Sequence, residues 1–536
     1  MKLYKYLVLL SIPVVVGVSC KKSAFVKANE DPATLTAVDP GAQFLFAASN
    51  LTNSFEAYYD YYRDIMPWMQ YWTEGSGNGL EFTGLSGNFD YRYAQYYGYV
   101  GLALADIPHL IAAMTTAQQA TRQYEAAIAS IYMAYYTFYN SDINGSIPYS
   151  QAFQARYGGT FTPVYDTQQS IFDTLDTQIK TAVTTLESSP STAQVLYGGN
   201  DPFFGSAGNE ALEWAKAGNA LRLKIAMRQI NLNPAAATTI AQSVLADANQ
   251  MSSISDSWVL YVGNAYAIQG GNFDAVGFLA SRPIVKFMTT TNDPRLGIFY
   301  RQNNAGLYAG SPTDPDTCAA AYWQAQYKAT DTPISPVQHR LFTPDYNEND
   351  GNGVNTTGTG FYPVLTYAEY SFIRAYLGAN GLTSDDPGTW YKNGVTASIQ
   401  FYSQQAVAAG ISGFTAVSAG QIATYLTQPG VAFSTATAAN QIACQAYLEF
   451  YRQPAEGWAW WKMTGYPNTT SVVAWEPLTS NGITDVLNRR AALTVLAASD
   501  PNFANQNAAF TAEEANPLFG SSPSNAQGRV WWDVLQ

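Results

Sequence analysis

Hydrophobic positions along most of the chain recur at helical spacing. Phe44, Ala48, Leu51 and Phe55 fall three and four residues apart and predict one buried stripe on a first helix, with Asp39 as its cap and Pro40 in its first turn. A second helix is predicted over 117–140, with Ile128, Ile131, Tyr135 and Phe138 on one face. A third follows Thr167, striped by Ile171, Leu175, Ile179, Ala182 and Leu186. Further helices are predicted over 209–230 and from Pro234. Thr366-Tyr367-Ala368-Glu369 reads as a capping box opening a helix that stops at Gly378, and 387–405 and 437–452 complete the set. Neighbours joined by short links predict stacked antiparallel hairpins, a mainly α architecture with minor β structure. Residues 63–116, 141–165, 251–365 and 453–536 show no helical period, and connections of that length in a compact protein usually serve function.

The first nineteen residues stand apart. Lys2 and Lys5 precede an apolar run that is too short, and interrupted by Pro13, to span a bilayer, and small residues lead into Cys20. Residues 1–19 are therefore expected to be a lipoprotein signal peptide, with Cys20 as the lipid attachment. Residues 20–38 form a polar tether and 39–536 a single domain. No later stretch approaches eighteen apolar residues, so the lipid is the expected membrane anchor. Cys318 and Cys444 are expected as two separate buried thiols.

Composition narrows the function. Only 12% of residues are charged and the net charge is −13, which leaves no basic surface for a phosphate backbone and excludes nucleic acid as a partner. Two histidines and the lack of HExxH, P-loop, GxSxG, CxxC and GxGxxG patterns remove the usual catalytic signatures, so the chain is read as a non-enzyme without a cofactor. Paired carboxylates leave no local pattern, so a lipid-anchored helical glycoside hydrolase stands as an alternative. Asp345, Asn347 and Asn349 place oxygen ligands at alternating positions. Yet the glycine falls one position late and Thr356 occupies the twelfth place, so a solvated turn and a structural calcium loop both stay open.

Aromatic residues make up 14% of the chain, and Tyr alone numbers 38. Tyr58-Tyr59-Asp60-Tyr61-Tyr62, Trp68-Met69-Gln70-Tyr71-Trp72 and Asn88-Phe89-Asp90-Tyr91-Arg92-Tyr93 interleave flat rings with amides and charges. A sugar packs its C–H face on such a ring while its hydroxyls bond the polar neighbours; the same surface would also hold an extended peptide.

Several stretches carry a family resemblance. They are Gly145 through Phe153, Asn219 through Arg228, Ser281-Arg282-Pro283, Asn292-Asp293-Pro294-Arg295-Leu296, Leu365 through Glu369, Glu456 through Lys462, Thr464 through Pro467 and Val530 through Asp533. In this order, behind a lipoprotein signal, the chain resembles the SusD/RagB family of outer-membrane nutrient-binding lipoproteins, in its SusD-like branch. The resemblance implies tetratricopeptide-like helical hairpins carrying irregular ligand-binding segments at about 63–116 and 251–365. It implies a non-catalytic lipoprotein of the outer membrane, at the cell surface, that delivers oligosaccharide, or in some members peptide, to a SusC-like TonB-dependent transporter. By analogy it places ligand binding at Tyr71, Trp72, Asn78, Asn88, Tyr91, Tyr93, Tyr308 and Trp323.

Overall fold

A computed structural model describes residues 38–79, 91–262, 273–343, 359–520 and 525–535. Cys20, Asn88 and the calcium candidates Asp345, Asn347 and Asn349 lie outside the described residues. The helices are α1 (Pro40–Ser49), α2 (Gly101–Ala112), α3 (Gln123–Asn144), α4 (Gln168–Glu187), α5 (Glu210–Arg228), α6 (Pro234–Leu245), α7 (Arg282–Thr291), α8 (Tyr367–Ala379), α9 (Pro387–Ala408), α10 (Ala438–Glu449), α11 (Pro454–Thr464) and α12 (Phe503–Glu514), with short turns of helix between them.

Side-chain caps set several starts where the sequence places them. Thr167 accepts from the Ser170 N–H, Asn209 from Leu212, Asn233 from Ala236 and Asp386 from Thr389, each satisfying a backbone donor that the first turn leaves open. Ile171, Leu175, Ile179, Ala182 and Leu186 of α4 are buried, as their spacing predicts. The helices pack in succession, α3 on α4, α4 on α5, α5 on α6, with α8 against both α9 and α10. Among the described residues the β structure is four two-stranded antiparallel pairs. The two that matter for the site are β1 (Trp72–Glu74) with a strand at Phe278–Ala280, and Trp258–Val262 with Gly360–Leu365.

A buried charge network ties the hairpins together. Lys224 of α5 meets Glu369 of α8 at 2.9 Å and Glu456 of α11 at 2.8 Å; Arg228, one turn on, pairs with Glu456 and with Asp142 of α3 at 3.1 Å. Four helices thus converge on groups that none could bury alone, because an unpaired charge inside a protein costs several kcal/mol. The stretches that carry the family resemblance supply Lys224, Arg228, Glu369 and Glu456, so those motifs belong to the scaffold. Glu369 departs from the expected capping box. Thr366 accepts its backbone N–H, but its carboxylate turns inward to Lys224.

The irregular segments hold more helix than their pattern shows. α2, α7, α11 and α12 all fall inside them. α11, with Trp458 and Trp460 buried, is covered on nearly every side, and α2 carries Pro108; neither displays the single apolar stripe that periodicity detects. In the opposite direction, α1 stops at Ser49, short of the Phe55 its stripe was expected to include.

Candidate functional site

The chain re-enters a helix at Ser54, with π-type turns over Glu56–Ile65 and again over Tyr96–Val100. Such turns are rare and frequently mark functional sites. The first buries Glu56, Ala57, Asp60, Tyr61 and Asp64, and leaves Tyr58 and Tyr59 at the surface side. Phe55, at its start, is 47% exposed.

Phe55, Tyr59 and Tyr91 form a staggered tile of stacked rings. Their ring centroids stand 5.5, 5.7 and 6.3 Å apart in pairs, and every pair is within 19° of parallel. Three nearly parallel rings in offset stacks make a compact apolar cluster, with the Tyr58 ring edge-on to Tyr59 at its border.

A buried cation holds the tile in place. Arg92, next to Tyr91, is fully buried, donates to Glu56 at 3.1 Å, approaches Asp60 at 4.0 Å and lies 4.2 Å over the Tyr139 ring. The Tyr139 hydroxyl donates to the same Glu56 oxygen at 2.7 Å. Burial alone would weaken the guanidinium charge, but Glu56, Tyr61 and Asp60 hold its pKa above the ordinary value; burial pushes the Glu56 carboxyl up. The segment bearing Tyr91 is thereby clamped to the segment bearing Phe55 and Tyr59.

Contacts lead from the tile to a second platform. Arg63 lies over Tyr58 and pairs with Glu74 at 3.0 Å, and the Glu74 N–H donates to Asn78. Asn78 donates to the Thr313 carbonyl, and Gln324 to that of Ser76. Gly77, at φ +83°, lets this loop press on Cys318 and the Tyr327 ring, where a Cβ would come within 2.7 Å of both. Beside it the turn of helix Ala321–Tyr327 presents Tyr322, 66% exposed, edge-on to Trp323 at 5.3 Å. Arg282, which pairs with Glu476, stands 5.7 Å from the Trp323 ring.

Tyr308 lies elsewhere, in a cleft of about 350 Å³ that it shares with Gly297, Arg301, Gln302, Gln338 and Phe414. An antiparallel bridge between Tyr300 and Val337 fixes one wall, and the turn that ends α9 forms the other. Gly297 leaves room for the Tyr308 hydroxyl, which would sit 2.8 Å from a Cβ there.

The residues expected at the site thus divide. Tyr91 is in the tile, Trp323 on the second platform and Tyr308 in the cleft. Tyr71 and Trp72 are corrected to core. Tyr71 stacks on Tyr447 at 4.3 Å and donates to its carbonyl, while Trp72 donates to the Tyr62 carbonyl and stacks on Phe278, and neither ring has exposed surface. Asn78 is corrected to a buried strut, its amide engaged with Glu74 and Thr313. Tyr93, two residues beyond Tyr91, points off the tile and packs on Tyr97 at 4.4 Å, since residues two apart on a helix do not share a face. Tyr59 belongs to the aromatic run that the sequence marks out, whereas Phe55, Tyr322 and Arg301 carry no such mark. Phe55 is hidden by its helical spacing to Leu51, and Tyr322 and Arg301 sit among similar residues with no local signal.

Comparison with known proteins follows the same lines. No curated protein matches the chain. Among solved structures it is similar to a chitin-binding protein, at 20% identity and TM-score 0.70 over 93% of this chain and 100% of that one. It is also similar to a chitin-binding SusD homologue from Flavobacterium johnsoniae, at 18% and 0.67 over 92% and 98%, and to a SusD homologue from Bacteroides fragilis, at 21% and 0.68 over 92% and 99%. Over residues 32–482 it matches the family described as starch-binding and associating with the outer membrane, and the chain belongs to that SusD-like family.

Proposed function

We propose that this protein is a surface lipoprotein of the outer membrane, anchored through Cys20, that captures oligosaccharide and passes it uncut to a SusC-like TonB-dependent transporter. The observation that carries this reading is the tile of Phe55, Tyr59 and Tyr91, three parallel rings clamped by a buried ion pair at the surface of a rigid helical body. Membership of a starch-binding family and likeness to two chitin-binding proteins support a saccharide as its ligand. No helix among the described residues is long and apolar enough to cross a membrane, which accords with a lipid as the anchor. A few ring faces in a preformed site give binding of about −4 to −8 kcal/mol, millimolar to micromolar. A transporter partner that closes over the bound chain adds the rest through confinement.

Titration calorimetry against neutral glucan, chitin-derived and peptide panels, with reducing ends assayed on the same samples, tests this. Saturable saccharide binding without new reducing ends is expected. Sustained release of reducing ends, or binding confined to peptides, overturns it. Metabolic labelling with a fatty acid, lost in Cys20→Ala, tests the anchor.

A further inference from the structure

The cleft around Tyr308 holds a cation that the folded chain leaves unanswered. Every other arginine among the described residues donates its guanidinium to a carboxylate or a carbonyl; that of Arg301 makes neither an ion pair nor a hydrogen bond. Arg301 lines a space of about 350 Å³, with Tyr308 and Phe414 as its rings. No Asp or Glu lines it, although the chain as a whole is strongly acidic. His339 adds no charge, because burial and the neighbouring Arg301 push its pKa down to about 4.

These groups specify a ligand chemistry. An unpaired guanidinium in a protected cleft is completed by an oxyanion, which it holds through paired N–H donors. Half-buried Tyr308 supplies a ring and a hydroxyl beside it. An anion and hydroxyls within reach of a flat ring describe a sugar residue that carries an acidic group. We infer that the Tyr308 cleft is a subsite for an anionic sugar residue, its carboxylate or sulfate on Arg301 and its ring against Tyr308. The inference rests on the saccharide-binding reading above and adds to it a preference for acidic glycans.

Trigalacturonic acid and its full methyl ester are a suitable probe pair, since esterification removes the charge and keeps rings and hydroxyls. Calorimetric titration of the intact protein is expected to show the acid binding at least about tenfold tighter than the ester, an advantage that shrinks as salt rises from 20 to 300 mM. Arg301→Gln is expected to erase that advantage while leaving binding of the ester and the melting temperature unchanged, because the guanidinium bonds nothing in the fold. Tyr308→Ala is expected to weaken acid and ester alike. A sulfated galactose oligomer in the same series shows which oxyanion is preferred. Equal binding of acid and ester, or an acid preference that survives Arg301→Gln, overturns the inference. If neutral oligosaccharides bind and only the acid preference is missing, this subsite alone fails; if no saccharide of either kind binds, the broader reading fails with it.

Discussion

Arg92→Met isolates the clamp under the tile. The substitution keeps most of the side chain's apolar stem and removes its charge. In the wild type the guanidinium sits 3.1 Å from Glu56 and 4.0 Å from Asp60, over the Tyr139 ring, with no solvent exposure at any of the three charged residues. Without it Glu56 keeps only neutral hydroxyl partners in a dry site. Breaking a buried pair from one side costs about 3–5 kcal/mol, and that is the expected loss in urea unfolding at pH 7. The loss should shrink on acidification. Burial already raises the Glu56 pKa, and removing the cation raises it further; an acid whose folded pKa lies above its unfolded value stabilises the fold as pH falls through the folded pKa. Arg92→Met should therefore approach the wild type at pH 5 and diverge from it at pH 8. Adding Glu56→Gln should recover part of the deficit. Because the clamp joins the Tyr91 segment to the Phe55 and Tyr59 segment, saccharide affinity should fall at least about tenfold, a change of about 1.4 kcal/mol. A variant within about 1 kcal/mol of the wild type, with a deficit independent of pH, would refute the claim that this ion pair holds the platform.

Other parts of the structure make separate predictions. Trp72→Ala should act as a core deletion, lowering stability by about 3–5 kcal/mol in urea titration, whereas Trp323→Ala should leave stability within about 1 kcal/mol and weaken saccharide binding; the reverse pattern would restore Trp72 to the site. Glu449 is buried with its pKa raised to about 7 by desolvation, so it favours the folded state below about pH 4.5 and that stability is lost as pH rises to 7. Glu449→Gln should flatten this slope, worth about 3 kcal/mol across the window, and an unchanged profile in thermal melts would contradict the assignment. Cys318 and Cys444 are free and buried, and burial pushes their pKa values up to about 11 and about 12. A thiol reagent at pH 8 should leave both untouched in the native protein and label both after unfolding.

What the sequence reveals follows from how each feature is encoded. Long amphipathic helices such as α4, with a cap at Thr167 and a stripe from Ile171 to Leu186, write both their start and their buried face into local spacing. α11 does not, because a helix buried on most sides has no polar face to set a period. The family motifs are legible because they encode the charge network of Lys224, Arg228, Glu369 and Glu456, a requirement on side-chain identity at fixed positions. The exposed ring clusters carry no such requirement. Tyr71 and Tyr91 look alike in sequence, and only the fold decides that one ring stacks inside on Tyr447 while the other lies in the tile with Phe55 and Tyr59. Arg301 is likewise distinguished only by what fails to meet it once the chain has folded.

If surface rings on a fixed body grip a saccharide that the protein leaves intact, removing the rings must release it. Calorimetric titration of one neutral oligosaccharide that binds the wild type, repeated on Phe55→Ala/Tyr59→Ala/Tyr91→Ala, decides the matter. The triple variant is expected to melt within a few degrees of the wild type and to bind at least about a hundredfold more weakly, a loss of about 2.8 kcal/mol. Undiminished affinity in that folded variant would contradict it.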